Sequence, residues 1–298
     1  MVKKAILLLL ALTLILCGCG KSEEKPKEVV TLPTEESTAD IPDTSAADTA
    51  ESYPESDSVI ITQTPDSEEE STSVDRGEEG GYIVDRRSFE GKKICIDPGH
   101  GSFDKGYEEA IGPGSTRTKP AFVSGTSGAY QTEAEFNLTM AYTLKELLEA
   151  QGAQVYMTRT TEKAELSNIG RAQYANELEC DMVVRIHADG SENSSVNGIS
   201  VLIPGRNQFV TDDDLISASH DAGYYVLAEL VRFTGSPSRG LIERTDLTGF
   251  NWTEVPCILV ECGFMTNAED DRKLADPTYR NKLAWGITSG LLTYYETV

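Results

Sequence analysis

Four side chains able to bind a metal or move a proton fall at the ends of predicted elements. His100 follows a short apolar strand in the segment IDPGHG, and His187 closes another strand in VVRIHAD. Glu261 ends a third apolar run in ILVECGF, and Glu133 opens a helix. Two histidines and a glutamate can hold a zinc ion with a fourth position open, while a further carboxylate can transfer protons. Together the four residues predict metal-assisted hydrolysis.

Taken singly, each of these residues has an ordinary structural explanation. A histidine in a Gly-Pro turn is usually a surface polar group, and a buried imidazole needs only hydrogen-bond partners. Glu261 fits this explanation less well, because a charge after four apolar strand residues is costly without a purpose. The third histidine, His220, lies in a predicted helix and is expected to be solvated or packed. No HExxH segment is present, which excludes the helix-borne zinc protease motif.

Apolar strands alternate with amphipathic helices along the rest of the chain. This alternation predicts a single α/β domain over 91–298, with a mostly parallel twisted sheet of about six strands flanked by about five or six helices. In such sheets ligands bind beyond the carboxyl ends of the strands, where three of the four candidate residues fall. The predicted strands are 93–97, 154–158, 181–188, 199–203 and 256–261, and the predicted helices are 133–152, 167–178, 213–234 and 279–295.

The first 19 residues have the character of a secretion signal. Two lysines precede an apolar run that is too short to span a bilayer comfortably. The run ends in Leu-Cys-Gly-Cys, which resembles a bacterial lipobox with Cys19 as the lipid attachment site. Cys17 is the alternative acceptor, and an ordinary cleaved signal or an uncleaved anchor is the alternative to lipidation. We therefore expect an extracytoplasmic lipoprotein, attached to the membrane through an N-terminal lipid and facing the cell wall.

Residues 20–88 form an acidic segment rich in Ser, Thr, Pro and Glu. Its apolar content is too low to offset the entropy of ordering, so the sequence predicts a disordered linker. Most of the chain's formal charge of −23 lies in this segment. The predicted domain is acidic as well, which argues against a nucleic-acid partner. The linker is interpreted either as a tether between a membrane anchor and the domain or as a spacer that serves only solubility.

The remaining cysteines carry little functional signal. Cys95, Cys180, Cys257 and Cys262 lie in apolar surroundings and are expected to be buried thiols. Cys257 and Cys262 are five residues apart in one predicted strand, so they face opposite sides and cannot bridge each other. No CxxC pair indicates a structural zinc site.

At these residues the domain resembles the zinc-dependent N-acetylmuramoyl-L-alanine amidases of the Amidase_3 type. The resemblance extends over nearly all of 92–297, in the order of that family. Five blocks carry it: IDPGHG at 96–101, TEAEFNL at 132–138, GRAQYANELECDMVVRIHAD at 170–189, NGISVLIP at 197–204 and PCILVECGFMTNAED at 256–270.

The resemblance implies roles for the candidate residues. By position, His100, Glu133 and His187 match the ligands of one Zn²⁺, and Glu261 matches the catalytic glutamate. Glu133 is preferred to Glu135 because the family places its ligand five residues before the helical leucine, whereas spacing alone leaves both open. The implied reaction is hydrolysis of the amide between the lactyl group of N-acetylmuramic acid and L-alanine of the peptidoglycan stem peptide.

Two features depart from the commonest family pattern. The loop between His100 and Glu133 is long and rich in Gly, Ser and Thr, as lids and substrate walls often are. Asp189 stands where many members carry Asn, and Arg185 precedes the second implied ligand by two residues. These departures bear on substrate detail. The alternatives to the amidase are a zinc peptidase acting within the stem peptide and a non-catalytic peptidoglycan-binding lipoprotein.

Overall fold

A computed structural model describes residues 88–298, and these residues contain fourteen helices and strands. The predicted signal, Cys19 and the acidic linker up to residue 87 lie outside the described residues. In chain order the elements are β1 (Lys93–Pro98), β2 (Glu108–Ala110), β3 (Thr118–Pro120), α1 (Glu133–Ala150), β4 (Gln154–Met157), α2 (Asn168–Glu177), β5 (Met182–Asp189), β6 (Ile199–Pro204), α3 (Asp213–Thr234), β7 (Ser238–Arg244), α4 (Thr248–Asn251), β8 (Cys257–Phe264), α5 (Ala268–Leu274) and α6 (Pro277–Thr297).

Six of the strands form one sheet in the order β4-β1-β5-β8-β6-β7, and β2 pairs with β3 in a separate hairpin. The pairs β1–β4, β1–β5, β5–β8 and β6–β7 are parallel, while β6 runs antiparallel to β8. The predicted α/β architecture with a mostly parallel six-stranded sheet is confirmed. The carboxyl ends of β1, β5 and β8 lie side by side at one edge of the sheet.

The central strands are apolar throughout because both faces of the sheet are covered. Alternate side chains point to opposite faces and join two different clusters of buried residues. One cluster includes Ile94, Ile96, Val184, Ile258 and Val260 with residues of α1, α3 and α6, and the other includes Cys95, Val183, Cys257 and Leu259 with residues near α2 and α4. The four cysteines that lie within residues 88–298 are buried and free, as the sequence predicts.

The helices begin where the local chemistry predicts. Thr132 caps α1 and forms a capping box with Glu135, and Ser167 caps α2 through the N–H group of Gly170. Gly235 ends α3 in the left-handed conformation that glycine adopts at low cost. Among residues 88–298, no helix is both long enough and apolar enough to cross a membrane.

Several elements were not predicted from the sequence. The hairpin β2–β3, the edge strand β7 and the helices α4 and α5 are short or polar, and none shows a clear hydrophobic period. Strand β8 also extends three residues beyond Glu261, because Phe264 still pairs with Asp189 after a register shift that follows His187. Glu261 therefore lies within a strand and not at its end.

Candidate metal centre

The turn after β1 brings His100 against the end of β5. His100 has a positive φ of 60°, which is uncommon for a residue with a side chain. A Cβ atom on the preceding Gly99 would overlap the imidazole ring of His187, so only glycine fits there. Gly101 also has a positive φ, of 127°. The glycines on both sides of His100 therefore allow the backbone to pass close to His187 and turn away again.

Three of the predicted site residues come together at this edge. The Nε2 atom of His100 lies 3.1 Å from Oε1 of Glu133, and the Nδ1 atom of His187 lies 2.9 Å from the same oxygen. One ligand atom from each residue lies within 4.8 Å of the other two. Within residues 88–298, this is the one group of three His, Cys, Asp or Glu side chains whose ligand atoms come so close.

The capping box of α1 distinguishes Glu133 from Glu135, which the sequence could not separate by spacing. The carboxylate of Glu135 accepts hydrogen bonds from the backbone N–H and the hydroxyl of Thr132, at 2.7 and 2.8 Å, and it is exposed. Glu133 is 4 % exposed and faces the two histidines. Glu135 therefore holds the helix end, and Glu133 is the carboxylate available to a ligand.

The loop before α1 orients these side chains. The Nδ1 atom of His100 lies 2.9 Å from the carbonyl oxygen of Val123, which leaves its Nε2 atom for the site. The N–H group of Thr126 donates to Oε2 of Glu133 at 2.9 Å. Gly125 packs against both His100 and Glu133. Part of the long loop that was predicted from the sequence is thus an outer layer of the site.

The electrostatics of the group suit a divalent cation. Burial by itself raises the pKa of Glu133, but hydrogen bonds and charge from His100 and His187 outweigh it and hold that pKa well below its usual range. Burial lowers the pKa of His187, against the opposing effect of Glu133. A charged carboxylate and a neutral imidazole are the states that a metal ion requires. The Nε2 atom of His187 is also buried, with no hydrogen-bond partner within residues 88–298.

Glu261 lies one strand away, at the same register position as His187. It is half-buried, and its Oε2 atom is shielded from solvent with no hydrogen-bond partner among the described residues. Burial raises the pKa of Glu261 well above its usual value, helped by the nearby charges of Asp189 and Glu133 and opposed by Arg244. A raised pKa suits a carboxyl group that accepts a proton and gives it back.

A buried ion cluster that sequence reasoning missed fixes the turn carrying His100. Arg171 donates to Oδ1 of Asp97 at 2.8 Å and to the carbonyl oxygens of Pro98 and His100 at 2.6 and 2.7 Å. Arg159 donates to the carbonyls of Pro98 and Gly99. The available signal was Asp97 itself, an acidic residue at the end of a buried apolar strand.

His220 does not join the site. It lies on α3 with about half of its side chain exposed and contacts Asp221. This placement agrees with the solvated histidine expected from the sequence.

Comparisons with known proteins match the domain over most of its length. A family model described as N-acetylmuramoyl-L-alanine amidase matches residues 94–293. A curated relative, "Probable cell wall amidase LytH" of Staphylococcus aureus, is 29% identical over 214 residues, which cover 71% of this chain. The chain spans only 61% of the length of that relative.

Solved structures resemble the fold over a similar range. The amidase Ami1 from Mycobacterium smegmatis has a TM-score of 0.65 and 27% identity, covering 71% of this chain and 100% of that one. The apo form of Ami1 from Mycobacterium abscessus has a TM-score of 0.62 and 26% identity, covering 70% and 100%. An N-acetylmuramoyl-L-alanine amidase from Clostridium difficile 630 has a TM-score of 0.54 and 28% identity, covering 69% and 97%.

Proposed function

Since the chain belongs to the Amidase_3 family of N-acetylmuramoyl-L-alanine amidases, we propose that it hydrolyses peptidoglycan as a zinc enzyme. The bond cleaved is the amide between the lactyl group of N-acetylmuramic acid and L-alanine of the stem peptide. The observation that carries the proposal is the convergence of His100, Glu133 and His187 within 4.8 Å, with Glu261 beside them.

His100, Glu133 and His187 are the proposed ligands of one zinc ion. Two imidazoles and one carboxylate are a donor set that catalytic zinc sites use. Two observations support this assignment: the Nε2 atom of His187 has no hydrogen-bond partner in the part of the chain that the structure describes, and the Nδ1 atom of His100 is held by the Val123 carbonyl. When bound, the ion would supply Lewis acidity toward the scissile carbonyl and lower the pKa of a water molecule toward neutrality.

Glu261 is the proposed catalytic acid and base. Its shielded Oε2 atom has no partner among the described residues, so it is available to accept a proton from the attacking water. The same carboxyl group then delivers that proton to the departing alanine nitrogen. The Val123 carbonyl and the Thr126 N–H group hold the neighbouring side chains in place while this happens.

The product ends test the reaction. The full chain is incubated with isolated cell walls, and the new ends are identified by mass spectrometry. An amidase releases peptides with L-alanine amino termini and leaves the glycan strands whole. Other new amino termini would indicate a peptidase acting within the stem peptide, and wall binding without new ends would indicate a binding protein.

The proposed cellular setting is the outer side of the membrane. We propose that residues 1–19 are a signal with Cys19 as the lipidated residue, that 20–88 are a linker and that 91–298 are the catalytic domain. The name of the S. aureus relative, a cell wall amidase, supports an extracytoplasmic location. Metabolic labelling with a palmitate analogue tests the anchor, since Cys19→Ala should abolish labelling while Cys17→Ala should not.

A further inference from the structure

Two arginines flank the buried carboxylate of Asp97, and they use their nitrogens differently. Every side-chain nitrogen of Arg171 donates to a protein acceptor, including Asp97 and the carbonyls of Pro98, His100 and Leu166. Arg185 donates only through Nε, to Oδ2 of Asp97 at 2.7 Å. Within residues 88–298, its two terminal nitrogens have no hydrogen-bond partner, although the residue is only 6 % exposed.

Arg185 also lines a cavity beside the candidate metal centre. A cavity of about 40 Å³ is lined by Arg185, Arg171, Asn168, His100, His187 and Phe122. A water molecule needs roughly 10–15 Å³ of such space, so the two oxygens of a carboxylate fit. Arg185 and the two histidines that are proposed to hold zinc therefore border the same cavity.

The charged groups beside the cavity have an excess of positive charge that favours an anion. Asp97 is shared between Arg171 and Arg185, so this cluster carries one more positive than negative charge. Glu109 is close enough to influence Arg185 electrostatically, but its two oxygens accept from Asn168 and from the N–H group of Ile169. A buried guanidinium with one charge-assisted bond is costly unless another acceptor arrives.

Gly249 leaves the space that the guanidinium of Arg185 occupies. A Cβ atom there would overlap Nη1 and Cζ of Arg185, so the planar guanidinium packs directly against the glycine backbone. Gly249 belongs to α4, which packs near α2 on this face of the sheet. The guanidinium is thus confined by Gly249 on one side and by its bond to Asp97, as a binding group needs to be.

We propose that Arg185 binds a carboxylate of the substrate, namely the α-carboxylate of the stem-peptide residue that follows L-alanine. The enzyme then prefers stem peptides in which this α-carboxylate is free over stem peptides in which it is amidated. This rests on the proposed function. A guanidinium presents two parallel donors that match the two oxygens of a carboxylate, whereas an amide is uncharged and offers only one acceptor oxygen beside an N–H₂ donor. Arg185 is thereby a specificity-determining residue beside the scissile bond.

The ratio of kcat/KM for two substrates tests this inference. Two soluble muropeptides are used that differ only in whether the second stem residue has an α-carboxylate or an α-amide. The full-length enzyme should cleave the acid with a kcat/KM at least about tenfold higher, because a charge-assisted pair is lost with the amide. Arg185→Lys should abolish most of this preference. Arg171→Lys, the matched control, should keep the ratio even if both rates fall.

A binding measurement separates the inference from the reaction. Calorimetry on chelator-treated protein compares the dipeptide L-alanyl-D-isoglutamate with its isoglutamine counterpart. The acid should bind more tightly than the amide. If Arg185→Lys does not fold, Gly249→Ala replaces it, because the added methyl group displaces the guanidinium and should remove the difference in affinity between the two dipeptides. Equal cleavage of both substrates would overturn the inference and leave the amidase intact. If neither substrate is cleaved, the proposed function fails, and equal binding of the dipeptides then overturns this inference too.

Discussion

His187 of β5 and Glu261 of β8 are register partners on neighbouring parallel strands. Register partners in a parallel pair project to the same face of the sheet, so a proposed metal ligand and the proposed base leave the backbone side by side. Both strands are buried along the residues that precede the pair. The two functional groups are therefore positioned by the rigid core of the domain, while His100 and Glu133 reach the same point from a turn and a helix end.

Replacing Glu261 should separate metal binding from chemistry. Glu261→Gln keeps the size of the side chain but cannot accept a proton, so kcat should fall by about 10²–10⁴-fold. Zinc content, measured by atomic emission on the same sample, should not change. A variant that retains more than a tenth of the wild-type kcat would remove Glu261 from the proton-transfer role.

Replacing either histidine should remove the metal. His100→Ala and His187→Ala each delete one of three proposed protein ligands, so zinc content after dialysis should fall from about one per chain to near zero. His220→Ala is the matched control, because His220 is exposed on α3 away from the site. Full zinc content in either site variant would exclude that histidine from the ligand set.

The buried Asp97 should make stability depend on pH. Burial by itself raises its pKa, but Arg171, Arg185 and the Thr158 hydroxyl hold that pKa well below its usual range. A depressed folded-state pKa stabilises the protein above the unfolded pKa of about 3.9, and this contribution is lost as pH falls below that value. In urea unfolding with chelator present, wild type should therefore lose more stability between pH 7 and pH 3 than Asp97→Asn.

The variant Asp97→Asn also gives the size of the contribution that Asp97 makes to stability. At pH 7, Asp97→Asn should lower the free energy of unfolding by about 3–5 kcal/mol, because it leaves two buried arginines without their counter-charge. Asp104→Asn, whose exposed side chain pairs with Lys163, is the control and should leave the free energy of unfolding nearly unchanged, because solvent screens an exposed pair. Equal effects of the two variants would contradict the structural role of Asp97.

Asp271 should anchor the loop that covers the site. Through Oδ2, this buried residue of α5 accepts a hydrogen bond from the N–H group of Ala129 at 2.6 Å, and Gly128 packs against its carboxylate. Asp271→Ala should raise the hydrogen-exchange rate at Ala129 by about tenfold or more, since a charge-assisted bond is lost. Glu269→Ala changes an exposed residue of the same helix and should leave that rate unaltered. An unchanged rate in Asp271→Ala would show that other contacts hold the loop.

The sequence was sufficient for the elements that are long and strongly patterned. Continuous apolar runs predicted β1, β5, β6 and β8, and the helical period predicted α1 and α3. The sequence was insufficient to predict elements that are stabilised by contacts with residues distant along the chain. The hairpin β2–β3 has strands of three residues and is fixed through Glu109, whose carboxylate binds the start of α2. The antiparallel pairing of β6 with β8 is a topological fact with no local signal.

The candidate site shows the same division. His100 and His187 could be named because glycines and an apolar strand surround them. Glu133 and Glu135 could not be separated by spacing. The difference lies in the capping box, where the carboxylate of Glu135 is hydrogen-bonded to Thr132. The free end of Arg185 was also invisible, because it depends on which acceptors Arg171 takes and on the glycine of α4 beneath it.

Metal removal with product analysis tests the central claim most directly. The full chain is freed of metal with a chelator, verified as metal-free, and incubated with isolated cell walls while new L-alanine amino termini are counted. We predict that these termini fall to background and return when about one equivalent of zinc per chain is added, but not when magnesium is added. Undiminished release of L-alanine termini by the metal-free protein would contradict the account.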